Sequence, residues 1–189
     1  MAPSDTLETL LDAAAALMAE GGLGEATTAK VARRAGVAEG TIYRHFASKD
    51  ALVEAVFARL WGRIAQDLEA RLPSPADPEA RLRAFLPQAL AAFQAHPAET
   101  ALIPMEFLHI VTRHGGCAAS PGSARVIGIL EEAIRLAQAS GAAKAGLDPG
   151  VSAAMAWHGV SKTWNTRADP EEAARTFRGI QAFLDSVFF

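Results

Sequence analysis

Residues 27–49 concentrate side chains suited to a phosphate or to the edge of a base: Thr27, Thr28, Lys30, Arg33, Thr41, Tyr43, Arg44, His45 and Lys49, with Glu39 and Gly40 among them. The hydroxyls of Thr27 and Thr28 can cap a helix and donate to a phosphate held at its N-terminus, where unpaired N–H groups and the helix dipole favour an anion. Arg44 can fork onto guanine or onto a phosphate, Thr41 offers a hydroxyl and a methyl to a base edge, and Gly40 lets backbone come close to a duplex. Tyr43, His45 and Lys49 suit phosphates. Glu39 repels phosphates but can accept from a cytosine amino group, so it can act as a filter of sequence. This chemistry is recognition of double-stranded DNA.

The surrounding residues read as a helix-turn-helix that would position those groups. Val31 and Ala35 fall four apart with the small Ala32 beside them, and Gly36 ends that helix by tolerating positive φ, so that Val37 drops into a small core. On the next helix Ile42 and Phe46 point inward, which groups Gly40, Thr41, Arg44 and His45 on the other side. A preceding helix starts near Ser4, with Leu7, Leu10, Leu11, Ala14, Leu17 and Met18 as its buried stripe, and stops at Gly21 and Gly22. Ser48 caps a long following helix that reaches about Leu72 and buries Val53, Val56, Phe57, Leu60, Trp61, Ile64 and Leu68. Its length is roughly 36 Å at 1.5 Å per residue.

Gly36-Val37, then Gly40-Thr41-Ile42-Tyr43, His45-Phe46, Ser48-Lys49 and Leu52 together resemble the signature of TetR-family transcriptional regulators, over residues 6–57. The resemblance implies an all-α protein. Its N-terminal three-helix domain, residues 1–47, would bind a pseudo-palindromic operator. A helical domain, residues 48–189, would bind a small-molecule effector and build a homodimer through the last two helices. It also implies that effector binding shifts the fourth helix and changes the separation of the two recognition helices from the roughly 34–36 Å of adjacent major grooves. One departure stands out: the first helix carries Asp5, Glu8 and Asp12 where the family often has basic residues, which removes phosphate contacts.

The net charge of −3 suits a DNA binder only because the charge is unevenly placed. Lys30, Arg33, Arg34, Arg44 and Lys49 face a single acid, Glu39, within residues 27–49. So small a footprint releases few counterions per subunit, and tight binding would need a dimer on two half-sites. Half of the 189 residues are apolar, without a run long enough to span a membrane, and the acidic N-terminus lacks the basic start of a signal peptide. The single cysteine, Cys117, excludes an intramolecular disulfide framework and fits a reducing compartment, so a cytoplasmic protein is expected. The abundance of alanine, and of arginine over lysine, hints at a GC-rich bacterial genome.

Downstream, the proline-rich stretch at residues 72–78 breaks the chain, and Asp77-Pro78 starts a helix over residues 79–96. Further helices are predicted over residues 98–113, with Pro104 inside, and over 124–139, 151–164 and 170–188, with a loop at 114–123 and a turn region at 141–150. No strand pattern appears. Ala154, Trp157, His158, Ser161 and Trp164 share one face, and Phe177, Ile180, Phe183, Leu184 and Val187 share another; these faces can pack within a subunit or across a dimer.

Trp61, Phe85, Met105, Phe107, His109, Trp157, His158 and Trp164 are candidate lining residues for an apolar or aromatic effector, with Phe93, Glu106 and Asn165 near them in sequence. Glu106 and His109 have the Glu-x-x-His spacing of di-iron bundles, but that chemistry needs a second copy and two more acids on facing helices. His109 and His114 are five apart and share no helical face. No phosphate-binding glycine loop, serine elbow or zinc-protease motif occurs, so neither an enzyme nor a cofactor is expected. A sensor or interaction protein of the same fold with weakened DNA binding remains open, the acidic first helix being its motive.

Overall fold

The computed structural model describes residues 3–106, 109, 122–163 and 170–189, and among these every regular element is a helix. In chain order they are α1 (Pro3–Gly21), α2 (Thr28–Ala35), α3 (Glu39–His45), α4 (Lys49–Arg71), α5 (Pro78–Ala95), α6 (Pro97–Thr100), α7 (Ala124–Ala139), α8 (Pro149–Thr163) and α9 (Pro170–Phe188). The chain forms two compact units, Met1–Leu60 with Ala98–Ala118, and Trp61–Pro97 with Ala119–Phe189, so that the continuous helix α4 contributes to both.

The first unit is built around the stripes read from sequence. Leu10, Leu11, Ala14 and Met18 of α1 meet Val31 and Ala32 of α2, Ile42 of α3, Phe46, and Leu52, Val53, Val56 and Phe57 of α4 in one cluster, with Leu7, Leu17 and Val37 packed at its edge. Ile42 is fully buried although α3 has only seven residues; so short a helix is stable because its apolar face docks, not by propensity. The turn before it depends on Gly36, whose φ of 69° is left-handed, and the Val37 N–H closes it by donating to the Ala32 carbonyl at 3.0 Å. Ser48 accepts from the Ala51 N–H at 3.1 Å and starts α4 as its hydroxyl suggests.

In the second unit Asp77 caps α5 by accepting from the Ala80 N–H at 3.1 Å with Pro78 in the first turn, and the helix continues through Pro87. Helix α7 packs against α5 and α8, and α8 meets α9. Lys144 closes the end of α9, its N–H on the Phe188 carbonyl at 2.8 Å and its ammonium on the Ser186 carbonyl at 2.7 Å.

One predicted element differs. In place of a helix from residue 98 onward, α6 ends at Thr100 after a single turn, residues 101–102 form a turn, and helical geometry resumes at 103–106. Pro104 explains the break, since in a continuous helix it would have no N–H to donate to the Thr100 carbonyl and its ring would clash with that carbonyl. Leu102 is thereby directed into the core of the first unit. Phe107, His114, Cys117, Trp164 and Asn165, and most of the loop expected over 114–123, lie outside the described residues.

Candidate nucleic-acid interface

Helices α2 and α3 position the polar groups from below. Thr27 caps α2, its hydroxyl oxygen accepting from the Lys30 N–H at 3.3 Å, which leaves its O–H free to donate to a phosphate. With Ile42 and Phe46 buried, Glu39, Gly40, Tyr43, Arg44 and His45 are exposed, and Thr41 is half-buried at their margin. Tyr43 is 57% exposed, unusual for a large aromatic side chain in a packed three-helix unit. No hydrogen bond or ion pair engages the side chains of Arg33, Tyr43 or Arg44 among the described residues, which leaves two guanidinium groups and a phenol available to an outside partner.

The remaining cations are differently placed. Lys30 pairs with Glu25 at 2.6 Å, Arg34 with Glu20 at 2.7 Å, and the Lys49 ammonium donates to the Gly24 carbonyl at 3.4 Å. The hydrogen bond from Arg34 holds the Glu20 carboxyl below its ordinary range and Arg34 above its own. Such exposed pairs are weakened by solvent and salt, so a phosphate can compete for these cations. Thr28 differs from its sequence reading: its hydroxyl donates to Glu39 Oε1 at 2.6 Å, and a hydroxyl has one proton to give.

The acidic face of α1 has a use that the sequence did not reveal. Arg59 of α4, only 10% exposed, pairs with Glu8 at 3.0 Å and Asp12 at 2.8 Å, and lies 3.8 Å from Glu99 of α6. Two of the three acids that seemed to weaken a DNA interface therefore fasten α1 to α4. The pairing joins residues up to 51 positions apart on separate helices, so no i,i+4 pattern could have signalled it.

The candidate effector residues fall into both units. Trp61, Phe85 and Trp157 come together in the second, joined by Phe93: Trp157 lies 5.7 Å from Trp61, 6.0 Å from Phe85 and 5.8 Å from Phe93 between ring centroids. Gly122 presses on this group, for a Cβ there would sit 2.6 Å from Trp61 Cδ1. The recess beside Phe85, lined by Leu82, Leu130, Gln181 and Phe188, holds only about 10 Å³. The indole N–H of Trp157 is buried without a hydrogen-bond partner among the described residues. His158 contacts the Ala154 carbonyl through Nδ1 at 2.7 Å. Met105 and the buried His109 belong to the first unit, where His109 lies 6.2 Å from the Phe57 ring.

Among the described residues no group of three or more His, Cys, Asp or Glu is placed to hold a metal ion, and no helix is long and apolar enough to cross a membrane.

Comparison with known proteins agrees with the geometry. Residues 10–56 match the family described as bacterial regulatory proteins, tetR family. The chain is 37% identical over 81 residues to the HTH-type transcriptional regulator BetI of Serratia proteamaculans (strain 568), a match covering 42% of this chain and 41% of that protein. It is 35% identical over 107 residues to the HTH-type transcriptional repressor KstR of Rhodococcus jostii (strain RHA1), covering 57% and 50%. The alignments thus span half or less of these relatives' own length. A putative tetR family transcription regulator from Shewanella sp. PV-4 superposes with a TM-score of 0.76 at 21% identity, covering 97% of this chain and 98% of that one, so the fold is shared over nearly the full length. Residues 10–56 are thus a DNA-binding domain of the tetR family of bacterial regulatory proteins, set in a chain whose all-α fold matches that of the Shewanella protein over nearly its full length.

Proposed function

We propose that the chain is a homodimeric transcriptional repressor of the cytoplasm that binds a pseudo-palindromic operator through residues 1–47 and is released by an apolar or aromatic small molecule bound within residues 48–189. The observation that carries the DNA-binding reading is the face of α2 and α3 where Arg33, Tyr43 and Arg44 are uncommitted above a fully buried Ile42. Intramolecular partners absorb most other cations of the domain, but these groups stand ready for phosphates and base edges. The reading as a sensor with lost DNA binding is weakened, because two of the three acids that motivate it, Glu8 and Asp12, pair with Arg59, which leaves Asp5.

A second copy would sit on α8 and α9. Val151, Met155 and Gly159 are exposed at four-residue spacing on α8, with Val151 at 58% and Met155 at 72%, and Phe183 of α9 is 63% exposed beside the exposed Gly179 and Ala182. Large apolar side chains on one face with small residues between them suit close helix packing across an interface. Trp157 and Phe177 are buried within the subunit, so the faces read from sequence divide between core and surface.

For the effector, the Trp61, Phe85 and Trp157 group offers apolar surface and one buried donor, and a ligand would enter by displacing rings, since the adjoining recess is too small for an organic molecule. Operator and effector would then oppose each other reciprocally.

The test is fluorescence anisotropy of the full chain on DNA from upstream of its own gene and on a scrambled duplex. Selective binding in multiples of two protomers is the expected outcome. Equal, weak binding to both duplexes and to DNA from neighbouring promoters would overturn the reading.

A further inference from the structure

We propose that Glu39 fixes one base pair of each operator half-site as C·G, and that Thr28 holds its carboxylate in position for that reading; the inference rests on the DNA-binding role proposed above. Glu39 is the first residue of α3 and is exposed on the same side as Arg44 and Tyr43. Thr28 is the first residue of α2, and its hydroxyl donates to Glu39 Oε1 at 2.6 Å, so a contact across 11 residues ties together the starts of the two helices. The bond occupies one carboxylate oxygen. Oε2 has no partner among the described residues, and Lys30 of α2 is paired with Glu25 at 2.6 Å.

An ionised carboxylate accepts and never donates, so in the major groove it is matched only by an exposed amino group. Cytosine presents N4–H₂. Adenine presents N6–H₂ with the N7 acceptor beside it, guanine presents two acceptors, and thymine an acceptor and a methyl. A fixed carboxylate therefore favours cytosine, meets the adenine amino group only with the N7 acceptor opposing it alongside, and is repelled by guanine and thymine, and with no amino partner it adds only repulsion from the phosphates. A long, exposed glutamate without the Thr28 bond would swing into solvent and lose that discrimination. Thr28 is a positioning residue: it acts through Glu39, and its hydroxyl proton is not available to a phosphate while the bond is made.

The experiment is selection of bound duplexes from a random library by the full chain and by Glu39→Ala, Glu39→Gln, Thr28→Val and Thr28→Ser variants, read by sequencing. The wild type should enrich a motif with one C·G pair per half-site whose cytosine preference falls about fivefold or more in Glu39→Ala. In Glu39→Gln the preference should move toward adenine, which an amide can meet with both a donor and an acceptor. Thr28→Val should relax the same position alone and Thr28→Ser should keep it, a pattern that mere loss of folding would not produce. If the Glu39 variants enrich the wild-type motif unchanged, the inference is overturned and the DNA-binding reading stands. A wild type that enriches no motif overturns both.

Discussion

At the scale of single residues, the interface is defined by which polar groups the protein has already used. Thr27 accepts in its cap and keeps its O–H, Thr28 gives its proton to Glu39, and Lys30 is paired with Glu25 in an exposed contact, whereas the side chains of Arg33, Tyr43 and Arg44 keep their full hydrogen-bonding capacity. Two substitutions separate positioning from reading. Tyr43→Phe removes one hydroxyl from an exposed ring, and if that hydroxyl meets a phosphate, binding to every sequence should weaken alike, by about 1 kcal/mol. Thr41→Ala should instead change the base preferred at one position with a smaller loss of overall affinity. Anisotropy titrations against a panel of single-base operator variants distinguish the two, and a changed preferred sequence in Tyr43→Phe with none in Thr41→Ala would reverse the assignment. Serine and threonine hydroxyls are the residues for which sequence reasoning was weakest, because a cap, a side-chain bond and a phosphate contact all ask for the same residue type.

At the scale of elements, the apolar periodicity made the first unit legible: the stripes of α1, α3 and α4 meet in one core, and Gly36 sits in the left-handed conformation its place in the turn requires. Asp77-Pro78 and Ser48 likewise start helices as their chemistry suggests. Two things were not legible. A proline-containing segment was read as one helix, since residues 98–113 have helical composition and only Pro104 signals the break after Thr100. The Arg59 hub was missed because its partners come from distant helices. The hub has a measurable consequence. Arg59 is well shielded while Glu8 and Asp12 are exposed, so Arg59→Ala removes the guanidinium that both acids of α1 share and should destabilise by about 1–2 kcal/mol. Glu8→Gln should cost about 1 kcal/mol or less, because Asp12 remains on Arg59. Denaturant unfolding of both variants checks the order, and a Glu8→Gln loss equal to that of Arg59→Ala would show that the exposed acid carries the hub.

At the scale of the whole molecule, the net charge of −3 and the small basic face set how the chain must meet DNA. A few cations per protomer release few counterions, so on the proposed reading affinity comes from two protomers bound together through the face of Val151, Met155 and Phe183. Each phosphate neutralised contributes about −0.9 to the slope of log affinity against log salt concentration. The most direct measurement is therefore that slope, obtained by anisotropy on an operator duplex for the wild type and for Phe183→Glu, which places a charge at the proposed dimer face. The account predicts a steep slope and a two-protomer complex for the wild type, and for the variant a monomer that binds weakly with a slope about half as large. A shallow wild-type slope, or the same slope and affinity in a variant shown to be monomeric, would contradict it.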